Sequence, residues 1–586
     1  NINEVWSVLE SKGNIYFCTF TGIFLYDGQS ISQLGANKNI AFSFEADDEI
    51  YVTMPEEGIA TLYNNKLSHL PGSEIFAQGQ MGLADIAKFT DGNIIVATIS
   101  NGLYISNGRS FKKWNITANK FLEGKSISKI LQMSTGELIV GTSNSGLYII
   151  DENGHIVTHL SKERGLNSRT ILSLLEDSYG NLWVGLNNGI SKIEMSSPFS
   201  VINENIGLQG TGYCAIQKNG DLYLGTNNGV FHANTNENYA SKNLDLISNS
   251  KGQVYSLEMD EETVMVGHHE GATMIKDGEL KRFGDKDGAW KYIRPIQNEN
   301  ILLEGNYTGF YRYLNRQGSW QYDGQVLGLN ESSRVFEQLK DGTIWMTHGY
   351  KGAYKLTLSS DLSKFDTVKF YDNSSGFKFN ELINVFKVEG ELIFTSQSGV
   401  YRYNEASDRF ELHPKFTDLL GPDISIRHLK SDPMGNIYFI STDSSGVMHK
   451  SRFDEYHIES KIFNKIHLLL NDDLDNISVL NYKTVLFSSK EGFVLYNPTK
   501  PTKLLEPIDA LIRKIVLTKS DSLINAGQNS PNEKTTIAYH QNSILFEYTC
   551  TFPDAKKFKQ YRYKLNGYDN VWSSWTTSQR VIDQVR

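Results

Sequence analysis

The stretch "EDSYGNLWVGLNNGISKIE", residues 176–194, holds two turn signals, two strand-like runs and no evident catalytic group. Gly180 follows an Asp and can take a positive φ at little cost, which predicts a tight turn. "NLWVG" is short and β-prone, "LNNG" is a second turn around Gly189, and "ISKIE" is a further strand. The preceding "TILSLLE" supplies another apolar run. The segment therefore reads as a small antiparallel meander.

That meander recurs along the chain. "LESKGNIYFCTFTGIFLYDG" (9–28), "FTDGNIIVATISNGLYISNG" (89–108), "MSTGELIVGTSNSGLYIIDENG" (133–154), "QKNGDLYLGTNNGVFHA" (217–233), "LKDGTIWMTHGYKGAYKL" (339–356) and "VEGELIFTSQSGVYRYN" (388–404) repeat it, beside weaker copies. The glycine of the second turn falls at 22, 58, 102, 146, 189, 229, 271, 309, 352, 399, 446 and 492. A stretch of varying length after each copy supplies a fourth, outer strand. Four antiparallel strands per repeat is the signature of a β-propeller blade, in which radial packing covers both faces of every sheet. Twelve blades exceed what a single propeller holds, so the expectation is an all-β chain with two β-propellers in tandem. Six plus six, seven plus five and five plus seven blades all fit the spacing. The boundary is placed near residue 240, giving propellers at 1–240 and 241–505.

After "YNPTKPTKLLEP" (496–507) the period stops, and the two prolines mark a linker. "ALIRKIVLTK", "NSILFEYTCTF" and "QYRYKLNGYDNVWSSWTT" then alternate aromatic and polar residues. They predict an immunoglobulin-like β-sandwich over 508–586, incomplete at Arg586.

Composition limits the function. The 586 residues carry a net charge of −10, which argues against nucleic-acid binding by bulk electrostatics. Three scattered cysteines, Cys18, Cys214 and Cys550, form neither a disulfide framework nor a zinc motif. No apolar run is long enough to span a bilayer, and the start "NINEVWSVLE" has no signal segment, so the chain reads as a mature or excised portion. There is no nucleophile elbow, H-E-x-x-H or phosphate-binding glycine loop. His268, His269 and Glu270 sit in a turn position filled by "TNN" elsewhere and read as a loop, not a metal site. No metal, cofactor or catalytic residue is expected.

The D-x-x-G-N-L-W-V-G…N-G-I of 177–190 resembles the propeller repeat of two-component regulators. Tyr548, Tyr561, Tyr563 and Tyr568 within the tail are similar to the triple-tyrosine domain that follows such propellers. The order of domains resembles the periplasmic sensor region of Bacteroidetes two-component and LuxR-type regulators. The resemblance implies a ligand-sensing ectodomain, a homodimer, a membrane helix C-terminal to this chain and a cytoplasmic output domain, with an oligosaccharide among the ligand classes. A protein-interaction scaffold and a propeller lyase or glycosidase are the competing readings.

For the ligand, the innermost strands matter because they line a propeller's central channel. Arg294 ("YIRPI"), Arg334 ("SSRVF") and Arg427 ("SIRHL") lie at or within the first strand of blades 8, 9 and 11, and Arg169 stands at the same place in blade 5. Such arginines suit carboxylates or sulfates. Trp290, Tyr292 and His428 are the neighbouring rings expected to stack on a sugar.

Overall fold

The computed structural model describes residues 4–34, 39–79, 81–89, 92–234, 244–500, 510–525, 536–550 and 560–584. Its twelve repeats form twelve antiparallel sheets, each beginning at an innermost strand and ending outside. Blades 1 to 5 span Ser7–Leu34, Phe42–His69, Leu83–Lys113, Ile127–Leu160 and Ile171–Ile193. Blades 6 to 11 span Gly212–Leu246, Val254–Arg282, Lys291–Val326, Val335–Tyr371, Asn384–Leu412 and Ile426–Glu459. Blade 12 takes three strands from Ile477–Tyr496 and its fourth from Phe199–Ile202, which pairs antiparallel with Gly492–Tyr496.

That pairing corrects the expected division. Residue 240 itself lies outside the described residues, but Phe231 and Leu246 on either side of it are partners in one sheet, so no boundary falls there. The second propeller starts at Phe199 and closes on itself at Tyr496. The division is five blades plus seven.

The apolar clusters report the same closure. Among the described residues, seven clusters separate the seven sheets of the second propeller, one per interface. The last, around Ile202, Leu224 and Phe493, joins blade 12 to blade 6. Seven interfaces for seven sheets make a ring. Among the described residues the first five blades have four such clusters, one between each pair of successive blades. The end blades carry exposed Trp6, Val8 and Phe20 on one side and Leu172, Leu175 and Ile190 on the other.

The repeat's turn chemistry is local and explicit. The Asp177 carboxylate accepts from the amides of Tyr179 and Asn181, the Asn181 side chain and Trp183 Nε1 at 2.8 Å. Asp432 does the same for Met434, Asn436 and Tyr438. One side chain thus fixes the turn and the first residues of the next strand. The second-turn glycine serves the blade's outer edge: Gly492 has φ +99°, and a Cβ there would collide with the carbonyl of Ile202 on the closing strand.

The chain from Lys503 onward forms a separate compact unit. Its described strands make one sheet in the order Ser522–Asn525, Ala510–Leu517, Ser543–Cys550, Arg580–Gln584. Tyr561 is buried and meets Tyr548 edge-on at 5.2 Å between ring centroids, whereas Tyr568 is exposed. The boundaries expected at 505 and 508 lie outside the described residues.

Candidate ligand-binding site

An innermost strand runs along the channel, so its first residues stand at one mouth and its last at the other. A β-bulge recurs near the start. The ladder slips between Gly212 and Cys214, between Val254 and Ser256, and between Ile426 and His428. The residue left over each time is Tyr213, Tyr255 or Arg427. A bulge re-aims its extra side chain, here beside the channel mouth. Trp290 and Arg334 immediately precede the inner strands of blades 8 and 9 and join the same mouth.

Arg334 lies on the axis. Its guanidinium is 5.8 Å from the ring of Trp290 on blade 8, and its charge is felt by His428 on blade 11 and by Asp473 and Asp475 before blade 12. Blades 8, 9, 11 and 12 approach one another only around the axis. The side chain is water-accessible yet so enclosed by protein that desolvation lowers its pKa, with Asp473 and Asp475 opposing. It makes no hydrogen bond or ion pair with the described residues. Its guanidinium makes a cation–π approach to Trp290.

The other predicted arginines are already neutralised. Arg427 Nε stands 2.6 Å from Asp475 Oδ2 and Nη1 3.7 Å from Asp472. Burial pushes Asp475 up to about 6 although Arg427 opposes the shift, and its second oxygen, Oδ1, is buried without a partner. Arg294 closes the far mouth, bonded to Asp260 at 2.5 Å and Glu261 at 3.1 Å with Trp320 alongside. It borders a cavity of about 850 Å³ with Glu258, Met259 and Ile296. Arg169 belongs to the first propeller, where it is paired with Glu163 beside a cavity of about 710 Å³. The four arginines therefore do not form one ring; Arg334 and Arg427 share a mouth, and Arg294 and Arg169 stand elsewhere.

The predicted rings also divide. Trp290 is at the mouth, packed against Tyr255 at 4.3 Å and Tyr307 at 5.2 Å, with its Nε1 donating to Ser332. Tyr292 is buried between blades 7 and 8, its hydroxyl donating to the Val266 carbonyl at 3.1 Å, and is core. The alternation of a strand explains this, since Tyr292 lies on a sheet face that meets the neighbouring blade. His428 is turned inward against Phe386, and burial holds its pKa down at about 3, so it is a neutral ring.

Below the mouth a second layer of charge crosses the axis. Lys291 donates to Glu337 at 2.7 Å, and Lys430 feels Lys291, Glu337 and Glu258 from three other blades. Burial raises Glu258 to about 7 despite Lys291. Sequence reading missed Tyr255, Tyr307, Tyr350 and Asp475. The first sits at a bulge that only the pairing register reveals, and the others sit in loops of variable length. Among the described residues no cluster of His, Cys, Asp or Glu is arranged to hold a metal.

Residues 165–188 match the family model described as two component regulator propeller. In fold, the chain is similar to the extracellular domain of the hybrid two component system BT3049 from B. thetaiotaomicron. The TM-score is 0.67 at 17% identity, covering 99% of this chain and 80% of that one. A weaker likeness, at TM-score 0.43 and 15% identity, is to the extracellular domain of the one component system BT4673 from the same organism, covering 99% and 93%. Virginiamycin B lyase from Staphylococcus aureus aligns at TM-score 0.26 and 14% identity over 46% of this chain and 92% of that one. No curated protein matches this sequence.

Proposed function

We propose that this chain is an extracytoplasmic, non-enzymatic ligand-sensing domain of a membrane-anchored transcriptional regulator or hybrid histidine kinase. The observation that carries the reading is the two-component-regulator repeat at 165–188, set in a tandem of propellers whose fold is that of a hybrid-system extracellular domain. The site chemistry agrees with it. The axial mouth offers an uncommitted cation and aromatic faces, which suits recognition. Near the axis, two carboxylates raised by burial, Glu258 and Asp475, are each held by a cation or hydrogen bonds.

In this reading the domain sits in the periplasm, forms a homodimer, and passes a change in dimer geometry through the C-terminal unit to a membrane helix. The ligand is a small molecule of oligosaccharide type. It must bind two arrangements of the dimer with different affinity, because equal affinity shifts nothing. The test is a transcriptional reporter driven by the intact parent protein. A compound that stabilises the purified chain should change reporter output, and a variant that no longer binds it should leave output fixed. A compound that binds tightly but leaves output unchanged at saturation would contradict the sensor role.

A further inference from the structure

Two features of the axial mouth go together. First, among the described residues Arg334 has no ion-pair partner there, while Arg427 is held by Asp475 and Lys490 by Asp472. An exposed guanidinium that the fold leaves unpaired keeps its N–H groups available to a ligand oxyanion. Second, the loops of blades 8 and 9 present two tyrosines, Tyr307 at 38% exposure and Tyr350 at 79%. Tyr307 is fixed by a hydroxyl–hydroxyl bond to Tyr255 at 2.7 Å and by its ring contact with Trp290, and Tyr350 lies within the electrostatic reach of Arg334.

We propose that the axial mouth of the second propeller is a site for a monoanionic saccharide. Arg334 pairs with the carboxylate or sulfate of a sugar ring, and Tyr307 and Tyr350 take its apolar face. This rests on the sensor reading above and adds the ligand's chemistry to it. The charge count follows from the surroundings. One free guanidinium matches one oxyanion, and Asp472, Asp473 and Asp475 around it repel a second negative charge on the ligand. The Trp290 ring approaches the guanidinium at 5.8 Å, and the planar fork of an arginine fits carboxylate and sulfate alike.

The experiment is calorimetric titration of the whole chain with galacturonic acid, its neutral methyl ester and galactose 6-sulfate. The first two isolate the charge, and the third distinguishes sulfate from carboxylate. Wild type should bind at least one of the acids about 10- to 100-fold more tightly than the ester, as expected for a charged hydrogen-bonded pair. Arg334→Met should lose that preference and melt at a temperature no lower than wild type, and Arg334→Lys should keep part of it. Equal binding of acid and ester, unchanged binding by Arg334→Met, a lowered melting temperature for that variant, or no binding of either acid would each overturn the proposal. A neutral compound that binds wild type and Arg334→Met alike and switches the reporter would overturn this inference while leaving the sensor reading intact.

Discussion

Phe199 is the antiparallel partner of Tyr496, and their rings lie 5.2 Å apart. One short strand from the start of the second propeller thereby completes its last blade. Every inner strand of that propeller is held in a ring whose ends are tied, and the axial mouth inherits its rigidity.

The closing strand gives the second-turn glycines unequal weight. Gly492 (φ +99°) abuts the Ile202 carbonyl, while Gly189 (φ +95°) has open space where a Cβ would go. Gly189→Ala should cost only the backbone strain, about 1–2 kcal/mol. Gly492→Ala should cost clearly more, because it also displaces the closing strand. Denaturant melts of the two variants measure the difference.

The Arg427–Asp475 pair supports the mouth from a site where the carboxylate side chain is only 6% exposed. Arg427→Ala should destabilise by about 3–5 kcal/mol, since it strands a buried charge. The loss should shrink at pH 5, where Asp475 protonates. Replacing both residues, as Arg427→Met with Asp475→Leu, should recover most of it. Thermal melts at pH 5 and pH 8 check all three expectations.

Glu304 is fully buried, accepting from Tyr313 at 2.5 Å and Asn306 at 2.6 Å, and burial raises its pKa to about 7. A carboxyl whose folded pKa exceeds its unfolded value stabilises fully below about 4.5 and loses that contribution as pH rises through about 7. Glu258 and Asp475, also raised, act in the same sense and His428, with its lowered pKa, in the opposite sense below 6.5, so the wild-type profile mixes them all. The difference between Glu304→Gln and wild type isolates the carboxylate. It should move in favour of the variant between pH 4.5 and 7, by about 3 kcal/mol at most, and then level off. Denaturant titrations across that range follow it.

The C-terminal unit divides from the propellers at Lys503. On the proposed homodimer reading, removing residues 508–586 should yield a monomer and leave the β-sheet circular dichroism and cooperative melting of the propellers in place. Light scattering reads the first and melting the second.

The blades were legible because their signals are local. Every one of the twelve repeat glycines begins or immediately precedes the third strand of a sheet, except Gly446, which is that strand's second residue, and the Asp177 turn forms as its sequence suggests. The division was not legible. It depends on Phe199 meeting Tyr496, and no local pattern marks a strand that completes a sheet far along the chain. The candidate site was half legible for a related reason. Position in the inner strand identifies Arg334, Arg427 and Trp290, but the register decides that Tyr292 is core and that Tyr255 is re-aimed by a bulge. Pairing state was hidden as well. Arg294 and Arg334 look alike in sequence, and only the fold brings Asp260 and Glu261 to the first and leaves the second unpaired.

The most direct test of the central claim is a thermal-shift screen of the purified chain against neutral, uronic and sulfated saccharides, with peptides and simple metabolites alongside. A ligand at 100 times its Kd adds about 2.7 kcal/mol of apparent stability, which a melting curve resolves readily. A selective rise in melting temperature that Arg334→Met removes and Arg169→Ala preserves is the expected result. A hit that both variants retain, or silence across every class, would contradict a ligand sensor built around the axis of the second propeller.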